Sequence, residues 1–236
     1  ILKRSPYDVR DMGFDYTTGT LYAIVQGGMV EGALAQIDMD TGDVVLIGDT
    51  GMALSAMTVD GQGRVFAVGA DNYLYELDKD TAEATQIGYT GSSQYVGKYQ
   101  SMYYDPDTGN TYWAEGFGIN LVDLETGAST YLGTIGYAGM QVTSLYTVPD
   151  VAPTVPETVA PTGVRLDTEK NAVAVGKTVS LTAHVLPISK ASVDKTVTWT
   201  SSDETVATVE DGVVTGVSVG TATITATSVN GKTATC

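Results

Sequence analysis

The chain has 236 residues, 43% of them hydrophobic, with 28 acidic against 12 basic side chains and a formal net charge of −16. Its length allows one large domain or two ordinary ones, and its apolar content supports a real core. The acidity disfavours phosphate backbones and anionic membrane surfaces as partners, and no apolar run approaches the roughly 18 residues of a membrane-spanning helix.

The charge is uneven. Residues 1–150 hold 20 acidic and 6 basic residues, a balance of −14. One cysteine, Cys236, excludes an internal disulfide, so packing alone must hold the fold. The chain begins at Ile1 without a signal-peptide pattern, as a mature product or an excerpt of a longer protein would.

The first 150 residues repeat one phrase three times. It runs Met12-Gly13-Phe14-Asp15 to Gly19-Thr20-Leu21-Tyr22-Ala23, then Met57-Thr58-Val59-Asp60 to Gly63-Arg64-Val65-Phe66-Ala67, then Met102-Tyr103-Tyr104-Asp105 to Gly109-Asn110-Thr111-Tyr112-Trp113. A second phrase follows each: Gln36-Ile37-Asp38 to Gly42, Glu76-Leu77-Asp78 to Ala82, and Leu121-Val122-Asp123 to Gly127. The methionines recur every 45 residues. That period, with four short strands per unit, predicts β-propeller blades.

The predicted strands of blade one are 9–14, 20–25, 34–38 and 44–48. Blade two has 54–59, 65–68, 73–77 and 85–88. Blade three has 100–104, 111–114, 119–123 and 129–132, and a fourth unit opens at 142–148. The Asp-to-Gly turns 15–19, 60–63 and 105–109 use Asp to cap backbone amides and Gly to supply positive φ. Helical periodicity is absent, so the fold class is all-β. Three blades and one strand fall short of the usual 4–8. The remaining blades are expected upstream of Ile1 in the native chain, a second copy being the alternative. The phrases ending Ile47-Gly48-Asp49-Thr50-Gly51 and Ile87-Gly88-Tyr89-Thr90-Gly91 are similar to those of secreted bacterial propellers of the quinoprotein-like class. That resemblance implies the fold and leaves function open.

Residues 149–160 are Pro-rich, without Gly or aromatic residues, and read as an extended spacer between a partial propeller at 1–148 and a second domain at 161–236. All 14 tyrosines lie before the spacer. After it, Val197-Thr198-Trp199-Thr200-Ser201-Ser202-Asp203 and Asp211-Gly212-Val213-Val214-Thr215-Gly216-Val217 resemble the bacterial immunoglobulin-like domain of group 2, found in surface adhesins. The residues fit a β-sandwich on their own terms. Trp199 sits in an alternating strand to fill the space between sheets, Val206, Val209, Val214 and Val217 follow as buried neighbours, and Asp211-Gly212 and Asn230-Gly231 are hairpin turns. The family's final strand runs on past Cys236, so this one is expected to be cut short.

The sequence offers candidates for three kinds of site. The loops 38–43 and 105–110 alternate oxygen side chains as calcium loops do, but they lack the distal bidentate Glu and read as capped turns, so no metal and no cofactor is expected. For catalysis, the sole histidine, His184, lies in the second domain, and no carboxylate pair stands in a motif. For recognition, blade-to-blade loops and second-to-third-strand loops share one propeller face. On it stand Tyr89, Tyr95, Tyr99, Trp113, Glu115 and Tyr137, a platform suited to a glycan or a surface protein. Tyr99 and Trp113 fit equally well as core residues between blades. The resulting expectation is an extracellular or cell-surface bacterial module. The propeller recognises or adheres, without catalysis, and the immunoglobulin-like domain is its stalk. The alternatives are part of a polysaccharide-active enzyme whose catalytic residues lie on other blades, or a purely structural surface module.

Overall fold

The computed structural model describes residues 7–28, 30–92, 100–135, 144–146, 154–188 and 192–236. Among these there is no helix, and the chain divides into two compact units, 1–156 and 157–236.

The first unit holds three four-stranded antiparallel meanders. The first is β1 (Asp8–Asp15), β2 (Thr20–Gly27), β3 (Val30–Ile37) and β4 (Val44–Asp49). The second is β5 (Leu54–Val59), β6 (Val65–Gly69), β7 (Tyr73–Leu77) and β8 (Ala84–Tyr89). The third is β9 (Gln100–Tyr104), β10 (Thr111–Glu115), β11 (Gly118–Val122) and β12 (Ser129–Thr134). The first strands β1, β5 and β9 pack on one another, which makes each sheet a propeller blade with its first strand innermost.

The turns form for the reason the sequence suggests. Asp15 Oδ1 accepts from the Thr17 amide, Asp60 Oδ1 from Gln62 and Arg64, and Asp105 Oδ1 from Asp107. Gly19, Gly63 and Gly109 close them at φ of 70°, 79° and 72°. One strand begins well before its expected start. Its start was expected at 34, yet β3 runs from Val30. Gly32 is there because the Met52 carbonyl oxygen comes within 2.2 Å of where a Cβ would sit, not because the chain turns.

Blade stacking follows one rule. The glycine that ends the fourth-strand phrase lies on the next blade's third-to-fourth-strand turn. A Cβ on Gly48 would sit 2.5 Å from Thr81 O, and one on Gly88 would sit 2.0 Å from Thr126 O. Between blades two and three, Ala56, Phe66, Val68, Leu74, Met102, Trp113 and Val122 form a buried cluster, with Ile87 and Leu124 packed against it. Lys79 Nζ reaches the buried Asp15 Oδ2 at 3.0 Å, and Arg64 bridges Asp60 and Glu125, so ion pairs cross both joints. The expected fourth-unit strand falls mostly outside the described residues, and the described part, 144–146, is not in a strand.

The second unit is an immunoglobulin-like sandwich. Its strands are β13 (Gly163–Leu166), β14 (Thr178–Ser180), β15 (Ala183–Leu186), β16 (Val197–Ser201), β17 (Ala207–Glu210), β18 (Val213–Gly216), β19 (Ile224–Ser228) and β20 (Thr233–Thr235). They form the sheets β13-β15, β14-β18-β17 and β16-β19-β20. Leu181, Ala207, Val214 and Ile224 are its core, and Trp199 and Val209 pack against them. Asp211 and Gly212 take the positive φ values of a tight hairpin. Two expectations are corrected. Val217 is exposed, because the in-out alternation of β18 continues through it: Val214 and Gly216 are buried, which puts Val217 on the outer face. The last spacer residues belong to this unit: Ser192 donates its amide to Glu157 O, and Val159 donates to Ser192 O.

Candidate functional site

The innermost strands converge on one carboxylate. Each repeat methionine is preceded by a different residue, Asp11, Ala56 or Ser101. Only the first carries charge. Asp11 sits at a bulge in β1, which turns its side chain toward the other two inner strands. Its Oδ2 accepts from the amides of Met57 on β5 and Met102 on β9, both at 3.0 Å. Its Oδ1 accepts from the Met12 amide at 3.0 Å and from Ser101 Oγ at 3.3 Å. Ser101 Oγ in turn accepts from the Leu145 amide. The Asp11 carboxylate therefore clasps three blades. Its four donors fill the acceptor sites of an ionised carboxylate, which fits a positioning role better than proton transfer.

Burial pushes the Asp11 carboxyl up to about 6, against the pull of its backbone and Ser101 hydrogen bonds. An acid whose folded value is raised stabilises the fold most when protonated. Asp11's contribution is thus greatest below about pH 4, falls as pH rises through 4 to 6, and above that is lower by on the order of 3 kcal/mol. Chemical denaturation of the first unit at several pH values, in wild type and Asp11→Asn, should show this as a stability difference that declines between pH 4 and 6. A difference that stays flat with pH contradicts the shift.

Beside Asp11 lies a cavity of about 540 Å³. It follows the inner strands toward the turns 15–19, 60–63 and 105–109. Its aromatic walls are Phe14, Tyr16, Tyr103, Tyr104 and Tyr146, and Asp60 and Asp107 stand at its turn end. Phe14 and Tyr16 pack edge to face, with ring centroids 4.8 Å apart. Tyr16 and Tyr146 are exposed and Tyr104 is half-buried. Sequence reasoning missed this site. The signal available was the single Asp at the position where the other two blades carry Ala and Ser.

The expected platform lies at the opposite end of the blades, since a meander sends its first-to-second and second-to-third turns to opposite edges. Tyr89 is exposed there; its hydroxyl donates to Ser92 O, and its ring packs on Tyr73. Glu115 is buried rather than displayed: Oε2 accepts from Ser92 Oγ at 2.6 Å, and Oε1 has no partner among the described residues. Burial raises its carboxyl above the usual range. Trp113 is corrected outright. It is wholly buried, with Nε1 donating to Gln100 Oε1 at 3.0 Å, because the blade-two-to-three joint takes its ring as core. Tyr95, Tyr99 and Tyr137 lie outside the described residues. In the two alternating-oxygen loops, Asp38 and Asp105 accept hydrogen bonds from their own turns. No cluster of three metal-ligating His, Cys, Asp or Glu occurs among the described residues.

Two relatives come from Bifidobacterium longum subsp. longum. A 3-O-alpha-D-galactosyl-alpha-L-arabinofuranosidase is 60% identical over 73 residues, which are 30% of this chain and 6% of that protein. An alpha-L-arabinofuranosidase is 42% identical over 120 residues, 47% of this chain and 11% of that protein. The chain thus spans a small part of either relative's length. Among solved structures, one of a nidogen/laminin complex is 14% identical, with a TM-score of 0.43 over 55% of this chain and 49% of that one. Residues 160–236 match the family model of the bacterial Ig-like domain (group 2).

Proposed function

We propose that the propeller unit binds neutral glycans bearing arabinofuranosyl residues outside the bacterial cell, and that the immunoglobulin-like domain serves as its spacer. The observation that carries this reading is the inner-strand cavity. Tyrosine faces suit the apolar patches of a sugar ring, and hydroxyls, carboxylates and backbone carbonyls suit its hydroxyl groups. Its volume falls within the range of small-ligand sites. The charge of −14 over residues 1–150 disfavours uronates, sulfated sugars and phosphates. The sugar class comes from the names of the two relatives, both arabinofuranosidases. The saturated Asp11 favours binding over hydrolysis in this unit.

Calorimetric titration with arabinofuranosyl oligosaccharides tests the reading. Tyr104→Ala should weaken binding at least tenfold while the melting temperature stays close to wild type, and Tyr89→Ala should leave affinity unchanged. Loss of binding with Tyr89→Ala alone moves the site to the opposite rim. Release of free arabinose by wild type replaces recognition with catalysis.

A further inference from the structure

Asp11 marks what the inner strands offer the cavity. Along the first strand of each blade, residues alternate between bonding to the second strand and turning their N–H and C=O away from it. The hairpin ends fix the phase: the Asp60 amide donates to Arg64 O, and the Asp105 amide donates to Asn110 O. Counted back along the register, the residues turned away are Val59 and Met57 in β5, and Tyr104 and Met102 in β9. The repeat gives Phe14 and Met12 the same phase in β1. The methionines bear the count out, since the amides of Met12, Met57 and Met102 are the three that the Asp11 carboxylate collects.

Phe14, Val59 and Tyr104 form the next ring, two residues or about 7 Å further along the strands. All three line the cavity. Among the described residues, no side chain or turn carbonyl bonds to their amides. The wall is thinnest beside this ring. Gly13 stands in β1 where β5 and β9 carry Thr58 and Tyr103, and it too lines the cavity. A Cβ on Gly13 would lie 3.0 Å from the Val59 amide nitrogen and 2.9 Å from Val59 Cγ2. Glycine keeps that side of the amide uncovered.

We infer that the backbone amides of Phe14, Val59 and Tyr104 hold neutral hydroxyl oxygens of the sugar in the cavity, as those of Met12, Met57 and Met102 hold Asp11. The inference rests on the cavity being the glycan site. Each residue turned away from its sheet also offers a carbonyl, so N–H gives to a hydroxyl oxygen and C=O takes a hydroxyl hydrogen. Hydroxyl groups, which both donate and accept, match such an edge. A ligand carboxylate does not. It would stand one ring from Asp11, whose own carboxyl burial already pushes up to about 6, in a unit whose acidic residues far outnumber its basic ones.

Nitrogen-15 correlated spectra of the full chain test this beside calorimetry, with an arabinofuranosyl oligosaccharide as the probe. At saturation, rapid exchange with water should fall at least tenfold at the Phe14, Val59 and Tyr104 amides, and their signals should shift. The Met12, Met57 and Met102 amides, already bonded to Asp11, should show no rapid exchange in either state. Gly13→Ala sets one methyl beside the Val59 amide and should weaken binding at least tenfold. Circular dichroism reports whether it folds, and the wild-type amide signals decide the matter if it does not. Heat of binding without any change at the three amides overturns the inference and leaves the glycan reading in place. No heat of binding at all overturns both. A folded Gly13→Ala that binds like wild type also overturns the inference.

Discussion

Replacing Trp113 by alanine is expected to unfold the first unit and leave the second intact. The ring is wholly buried between blades two and three, among Phe66, Val68, Leu74 and Met102. Removing a buried ring of this size costs about 3–5 kcal/mol through lost transfer energy and the cavity left behind. Gln100 Oε1 also loses the indole donor it accepts from, in a site closed to water. Domains are typically stable by about 5–15 kcal/mol, so the loss takes most of the margin of a domain at the lower end of that range, where a partial propeller unit belongs. The two units report separately. All 14 tyrosines lie in the first, and Trp199 in the second becomes the only tryptophan. Tyrosine signals should shift to unfolded values or melt far lower, while the Trp199 transition stays where it was. Loss of both transitions together contradicts two independent folding units.

Gly88→Val should be nearly as damaging, for a different reason. The new Cβ would lie 2.0 Å from the Thr126 carbonyl oxygen, and the obstacle is backbone, which cannot rotate aside. Overpacking a core typically costs about 1–3 kcal/mol, and a collision with the main chain of the next blade belongs at or above the top of that range. Blade three must shift away, and with it the Ser129 amide that bonds to Thr90 O. Gly61→Ala is the contrast. The nearest atom there, 2.8 Å from the new Cβ, is the end of the Tyr104 side chain, which can move. Denaturant midpoints should rank wild type highest, Gly61→Ala below it and Gly88→Val well below both. Equal midpoints for wild type and Gly88→Val would remove the stacking rule.

Much of this fold is legible because the repeat compares the chain with itself. The period of 45 aligns Asp15, Asp60 and Asp105, and their turns form as that alignment implies. The same alignment held the answer for Trp113. It occupies the position of Ala23 and Ala67, both fully buried, so its place in the repeat outweighs its chemistry as a surface aromatic. Gly32 is the opposite case. A glycine required by the close approach of Met52 looks in sequence like a glycine required by a turn. Asp11 was hidden because its partners, the Met57 and Met102 amides, are 46 and 91 residues away and are backbone groups, which leave no trace in residue identity. Its mark was a charge where the other blades carry Ala56 and Ser101, on the strand that the structure shows to be innermost.

The central claim is that the inner-strand cavity receives an arabinofuranosyl glycan, and methionine methyl resonances test it most directly. Met12 and Met102 line the cavity, whereas Met39 and Met52 lie away from it. Titrating methyl-labelled protein with arabinofuranosyl oligosaccharide should shift the Met12 and Met102 signals saturably, and Met39 and Met52 should stay fixed. Tyr104→Ala should abolish the shifts while the spectrum remains that of a folded protein. Methyl signals that do not move at saturating glycan, or that move only away from the cavity, would contradict the account.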